Sequence, residues 1–85
     1  MKPREEEKSK KMSEADKMFK KLGYKLTRDC NTYIEYSKKV DWERYEINFY
    51  KDDKTVGKVY RMESGYITMD ELKAINKKVQ ELGWL

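Results

Sequence analysis

The side chains that could do chemistry in this chain are few. There is no histidine among its 85 residues, so the commonest general base and nitrogen ligand is missing. Cys30 is the one cysteine. It has no histidine to take its proton, and Arg28, two positions away, is thin support for a thiolate. Cys30 therefore reads as an ordinary turn or edge residue. Asp41, Asp52 and Asp53 have the right oxygens for a hard cation, but such a loop needs several ligands at set spacing around a turning glycine. Asp52-Asp53 reads instead as hairpin chemistry. Glu35, Glu46 and Glu63 stand among lysines on strand-like segments, where cross-strand ion pairs account for them. The four glycines stand apart, so no phosphate-cradling loop is present. The expectation is a protein with no catalytic residues, no metal site and no cofactor: not an enzyme.

Binding is the remaining class. Seven tyrosines, two tryptophans and twenty basic residues are the ingredients of a stacking and charge surface. The net charge of +4, however, is half accounted for by residues 1–12, which hold five basic and three acidic side chains. The rest is nearly balanced, so the pI of 9.1 is weak support for a polyanion partner. Two sets of candidate contacts stand out. Tyr33 and Trp42 fall outside the apolar phase of their segments and are candidates for an exposed protein contact. Lys17, Lys20 and Lys21 lie on the first predicted helix and, with Lys73, Lys77 and Lys78 on the last, would serve a nucleic-acid binder. Their simplest reading is a solvated helix face.

The elements that position these residues follow from periodicity. Residues 1–12, nearly devoid of apolar side chains, are expected to form a disordered or frayed extension, and Met12 is a possible alternative start. The expected domain is 13–85. Its first helix runs from Ser13, a good N-cap, to Gly23, with Ala15, Met18, Phe19 and Leu22 as its stripe. The last is announced by Thr68 and Glu71 as a capping box, with Ile67 and Leu72 as a hydrophobic staple. Leu72, Ile75, Val79 and Leu82 form its stripe. Both helices close with Leu-Gly-aromatic, Leu22-Gly23-Tyr24 and Leu82-Gly83-Trp84, two uses of one C-capping solution.

Between them lie a short weak strand at Tyr24–Thr27, an Asp29–Asn31 turn, and alternating segments at Thr32–Lys38, Arg44–Tyr50 and Thr55–Met62. Lys39–Trp42 is expected to be a connection, Lys51–Lys54 a hairpin turn and Glu63–Gly65 a loop. Ile34, Tyr36, Tyr45, Ile47, Phe49, Val56, Tyr60 and Met62 share the apolar phase, which Lys58 interrupts. The expected fold is a two-layer α+β domain: helix, antiparallel β-meander of three to four strands, helix, with both helices on one sheet face.

A chain of this size makes one small domain, and eleven aromatics must supply much of its core. A lone cysteine favours a reducing compartment. No apolar run approaches the ~20 residues of a membrane span, and the start is too charged for a signal peptide. The expected location is the cytoplasm.

The segments Ala15–Tyr24, Tyr33–Tyr36 and Ile67–Trp84 resemble small uncharacterised proteins encoded by phages and prophages of Gram-positive bacteria. The resemblance covers residues 13–85. It implies a product acting in the host cytoplasm and assigns no catalytic residue. Many such products bind a host or phage macromolecule, and some block host defence. At coarse level the helix–strands–helix order also resembles the double-stranded-RNA-binding domain. That family opens its last helix with a lysine-rich patch, whereas this one opens with Met69-Asp70-Glu71. The leading expectation is a non-enzymatic accessory protein that binds a protein partner, with a nucleic-acid binder using the helix lysines as the alternative. An open sheet edge or face would also allow self-association.

Overall fold

A computed structural model describes residues 12–60, 63–64 and 66–85. Helix α1 (Glu14–Lys21) is followed by strands β1 (Lys25–Asp29), β2 (Tyr33–Val40), β3 (Glu43–Tyr50), β4 (Thr55–Tyr60) and β5 (Glu63–Ser64). Helix α2 (Met69–Glu81) ends the order. The strands form one antiparallel meander in chain order, and both helices pack on one of its faces. This is the expected two-layer α+β fold, with a two-residue fifth strand where a loop was expected at Glu63–Ser64. The expected extension lies, Met12 apart, outside the described residues, as do Arg61, Met62 and Gly65.

Local chemistry sets the helix limits. The Ser13 hydroxyl accepts from the Asp16 N–H at 3.0 Å. Thr68 and Glu71 make the reciprocal capping box, each side chain accepting from the other's backbone N–H at 3.1 Å. The two C-termini repeat one device. Gly23 and Gly83 hold φ of +94° and +77°. Their N–H groups bond Lys20 and Gln80 carbonyls, and the next N–H, of Tyr24 or Trp84, reaches back to Phe19 or Val79. This is the Schellman arrangement, and it turns an aromatic side chain inward at each end.

Alternation decides the sheet faces. Ile34, Tyr36, Ile47 and Phe49 are buried with Phe19, Tyr24, Ala74 and Ile75. Phe19 is the hub: its ring stacks on Tyr36 at 4.1 Å and meets Tyr24 and Phe49 edge-on near 6 Å. Such pairs add to the apolar area that each ring removes from water. The helices lie antiparallel, tied at one end where Glu81 accepts from the Ala15 N–H at 2.9 Å and Lys78 pairs with Asp16 at 3.7 Å. The Tyr36 hydroxyl also donates to Asp16.

Three expectations are corrected. Leu72 is 46% exposed and Ile67 is also exposed, so neither forms the buried staple or stripe. The inward face of α2 runs instead through Glu71, Ala74 and Ile75. Glu71 is drawn inward by a cation beneath it. The Lys39–Trp42 connection is shorter than expected: β2 and β3 stay paired through Val40 and Glu43, and Asp41, at φ 59°, closes a two-residue turn. Finally, β1 reaches Asp29 and carries a bulge between Leu26 and Arg28, which twists this exposed edge strand.

Candidate interaction surface

The helix face holds a charged cluster inside the core. Lys58, in phase with Ile47 on β3, meets Glu71 at 2.8 Å, with side chains 7% and 5% exposed. The Tyr24 hydroxyl donates to the other Glu71 oxygen at 3.0 Å. Burial pushes the Glu71 pKa up, but Lys58, the Thr68 N–H and the Tyr24 hydroxyl together outweigh it, and the carboxyl lies below its usual range. Burial, and then the Glu71 carboxylate, push the Tyr24 hydroxyl well above its usual range. Lys38 donates to the Leu22 carbonyl at 3.2 Å, with its ammonium over the rings of Tyr24 and Tyr45. Every charge here is matched within the fold, so the cluster is structural.

The opposite sheet face is covered by no described element. Tyr33, Glu35, Ser37 and Lys39 project from β2, Arg44, Glu46, Asn48 and Tyr50 from β3, and Thr55, Gly57 and Val59 from β4. Tyr33 and Tyr50 face each other across the strands, with centroids 6.2 Å apart. Tyr50 leans across toward Gly57, where an added Cβ would meet its ring at an ordinary 3.8 Å. Asn48, between these rings and the charged half of the face, is 5% exposed. Its Nδ2 donates to Glu46 at 3.5 Å, while its Oδ1 is buried and has no hydrogen-bond partner among the described residues. Arg44 bridges Glu35 on β2 at 3.1 Å and Glu46 on its own strand at 2.9 Å, so Glu35 makes the expected cross-strand pair and Glu46 pairs along β3. Burying an amide carbonyl without a donor costs about 1–3 kcal/mol.

The five residues singled out in the sequence are not brought together. Tyr33 is half-buried on the open face. Trp42 is 96% exposed in the β2–β3 turn, at the far end of an eight-residue strand, or roughly 25 Å away at 3.3 Å per residue. Lys17, Lys20 and Lys21 are exposed on α1, in the other layer, and Lys17 pairs with Glu14 at 3.6 Å. The residues missed were Tyr50 and Asn48. The alternation that turned Tyr33 outward also turns both of them outward, and the register then seats Tyr50 opposite Tyr33.

Cys30 is half-buried in the β1–β2 turn, its Sγ 3.4 Å from the Thr32 hydroxyl. That hydroxyl leads the contacts that hold the thiol below its usual pKa. Among the described residues no three Cys, Asp or Glu side chains gather into a possible metal site, and no helix is long and apolar enough to cross a membrane. No protein-family model, curated protein or solved structure matches this chain.

Proposed function

We propose that this chain is a non-enzymatic accessory protein of phage origin that binds a host or phage protein, a defence protein included, on the open face of its sheet. The observation that carries the reading is the Tyr33–Tyr50 pair on the uncovered sheet face. Two neighbouring aromatic rings left on a face that no described element covers suit a surface completed by a partner. The partner's chemistry follows: it offers apolar surface to Tyr33 and Tyr50. At the end of the face remote from the tyrosines, Arg44 is already neutralised between Glu35 and Glu46. A paired guanidinium favours a protein over a polyanion, and the exposed Asp70 at the start of α2 does not favour a phosphate backbone either.

The test is affinity capture from host lysate, with and without nuclease, using the wild type, Tyr33→Ala/Tyr50→Ala and a Lys17→Glu/Lys20→Glu/Lys21→Glu triple variant. A protein retained by the wild type and the triple variant, insensitive to nuclease and lost with the tyrosines, supports the reading. Retention that survives loss of both tyrosines, or that nuclease or the triple variant abolishes, refutes it in favour of the helix lysines.

A further inference from the structure

Five of the nine large apolar side chains left exposed among the described residues belong to α2 and its two ends: Tyr66, Ile67, Met69, Leu72 and Leu85. Met69 is 66% exposed and Leu85 80%. Apolar side chains scattered singly over a surface are ordinary, but a concentration of them marks an interaction surface. We propose that this outer flank of α2 is a dimer interface, on which α2 of a second copy of this chain packs antiparallel about a two-fold axis near Asn76.

Helix geometry defines the flank. Successive residues turn by about 100°. Glu81, which bonds the Ala15 N–H, marks the side of α2 that faces α1. Leu72 and Val79 stand about 160–180° round from it, and no described helix lies on that side. Met69, Leu72, Asn76, Val79 and Gly83 follow one another at alternating steps of three and four, the spacing of a seam between two helices. Lys73 and Gln80, both exposed, border the seam toward solvent.

The seam reads alike from both ends, and this selects a copy of α2 as its occupant. A closed two-fold contact lays one patch on itself. Reversing the helix about Asn76 brings Met69 to the Gly83 turn of the second copy, Ile67 to its Leu85, and Leu72 beside its Val79. Gly83 suits that arrangement: a Cβ added there would meet nothing within 4 Å, so the space is open to an incoming methionine. Asn76 meets its own counterpart at the axis. It is exposed, and its amide is uncommitted among the described residues. An amide is both donor and acceptor, so two of them satisfy each other. A single asparagine in an apolar seam fixes register at some cost in affinity. With 13 residues, α2 is about 20 Å long, so the contact is small and the dimer a weak one. The open sheet face stays free, and the inference does not depend on the protein-docking reading.

The test is sedimentation velocity of the whole chain from about 10 μM to about 1 mM, a range that brackets a weak dimer. The variants are Asn76→Leu, Asn76→Lys, Met69→Glu/Leu72→Glu and Tyr33→Ala/Tyr50→Ala. A dimer that grows with concentration is expected. Asn76→Leu should tighten it about tenfold or more, by making the centre of the seam apolar. Asn76→Lys and the double glutamate variant should weaken it about tenfold or more, and the tyrosine variant should leave it unchanged. Asn76, Met69 and Leu72 are exposed, so unchanged circular dichroism is the expected check on folding, and tightening is a response that unfolding does not produce. A monomer mass at every concentration overturns the proposal and leaves the flank to a partner of another kind. A dimer indifferent to both Asn76 variants, or dissolved by loss of the tyrosines, overturns it and puts the contact on another face.

Discussion

Removing the charge of Glu71 while keeping its shape tests how the core is held. In Glu71→Gln the side-chain oxygen can still accept from the Thr68 N–H, so the capping box survives in part. The Lys58 ammonium, 7% exposed, is left without its counter-ion. Breaking a buried pair from one side costs about 3–5 kcal/mol, because the orphaned charge stays in the interior. A domain of this size shifts its melting temperature by about 4–8 °C per kcal/mol, so a fall of at least roughly 12 °C is expected by circular dichroism. Lys58→Met should cost less, since Glu71 keeps the Thr68 and Tyr24 donors, and the double variant should lie well short of the sum. The acid limb supplies a second readout. The folded carboxyl is depressed, so its contribution is present above the unfolded value near 4.5. It is lost as pH falls through the lower folded value. Glu71→Gln should flatten that limb. A loss below about 1 kcal/mol, or single effects that simply add, would refute the view that the pair acts as a unit.

Ile75→Ala should cost about 2–5 kcal/mol for an emptied core site, while Leu72→Ala, at a half-exposed flank, should cost under about 1 kcal/mol; urea titration of both checks the rotated face of α2. Gly23→Ala should cost about 1–2 kcal/mol by thermal melting, from the left-handed backbone alone, because the added Cβ meets only Lys38 at an ordinary 3.5 Å. Asn48→Val should change stability by less than about 1 kcal/mol, since the lost bond to Glu46 is offset by removal of a buried carbonyl without a donor; a marked drop in melting temperature would show that the amide serves the fold. In an absorbance titration Tyr24 and Tyr36, whose hydroxyls burial holds well above the usual range, should ionise only as the protein unfolds. Their protonated form belongs to the fold, so stability is lost as pH rises beyond about 10.

The parts of the fold set by neighbours in the chain were legible in the sequence. Ser13, Thr68, Glu71, Gly23 and Gly83 act within one helical turn, and their roles follow from residue type and spacing. The strand phases followed too, because one sheet face is apolar. What escaped depends on distant partners. Lys58 looked like an interruption of its strand and Glu71 like a cap. Only the fold shows that they are 2.8 Å apart, and that pairing turns Leu72 outward. The open face was hidden for a related reason. Its members are separately unremarkable polar residues and tyrosines, and only the β2–β3 register makes Tyr50 the neighbour of Tyr33 and Arg44 the neighbour of Lys39.

The bond from the Ala15 N–H to Glu81 spans 66 positions, and Phe19 stacks on Tyr36 and meets Phe49, both of which emerge after it. During synthesis α1 therefore waits, unsealed, until Glu81 has left the ribosome. Cutting the chain at residue 80 would remove both that acceptor and the Trp84 clasp beside Phe49, and unravelling should begin at α1 rather than at the cut.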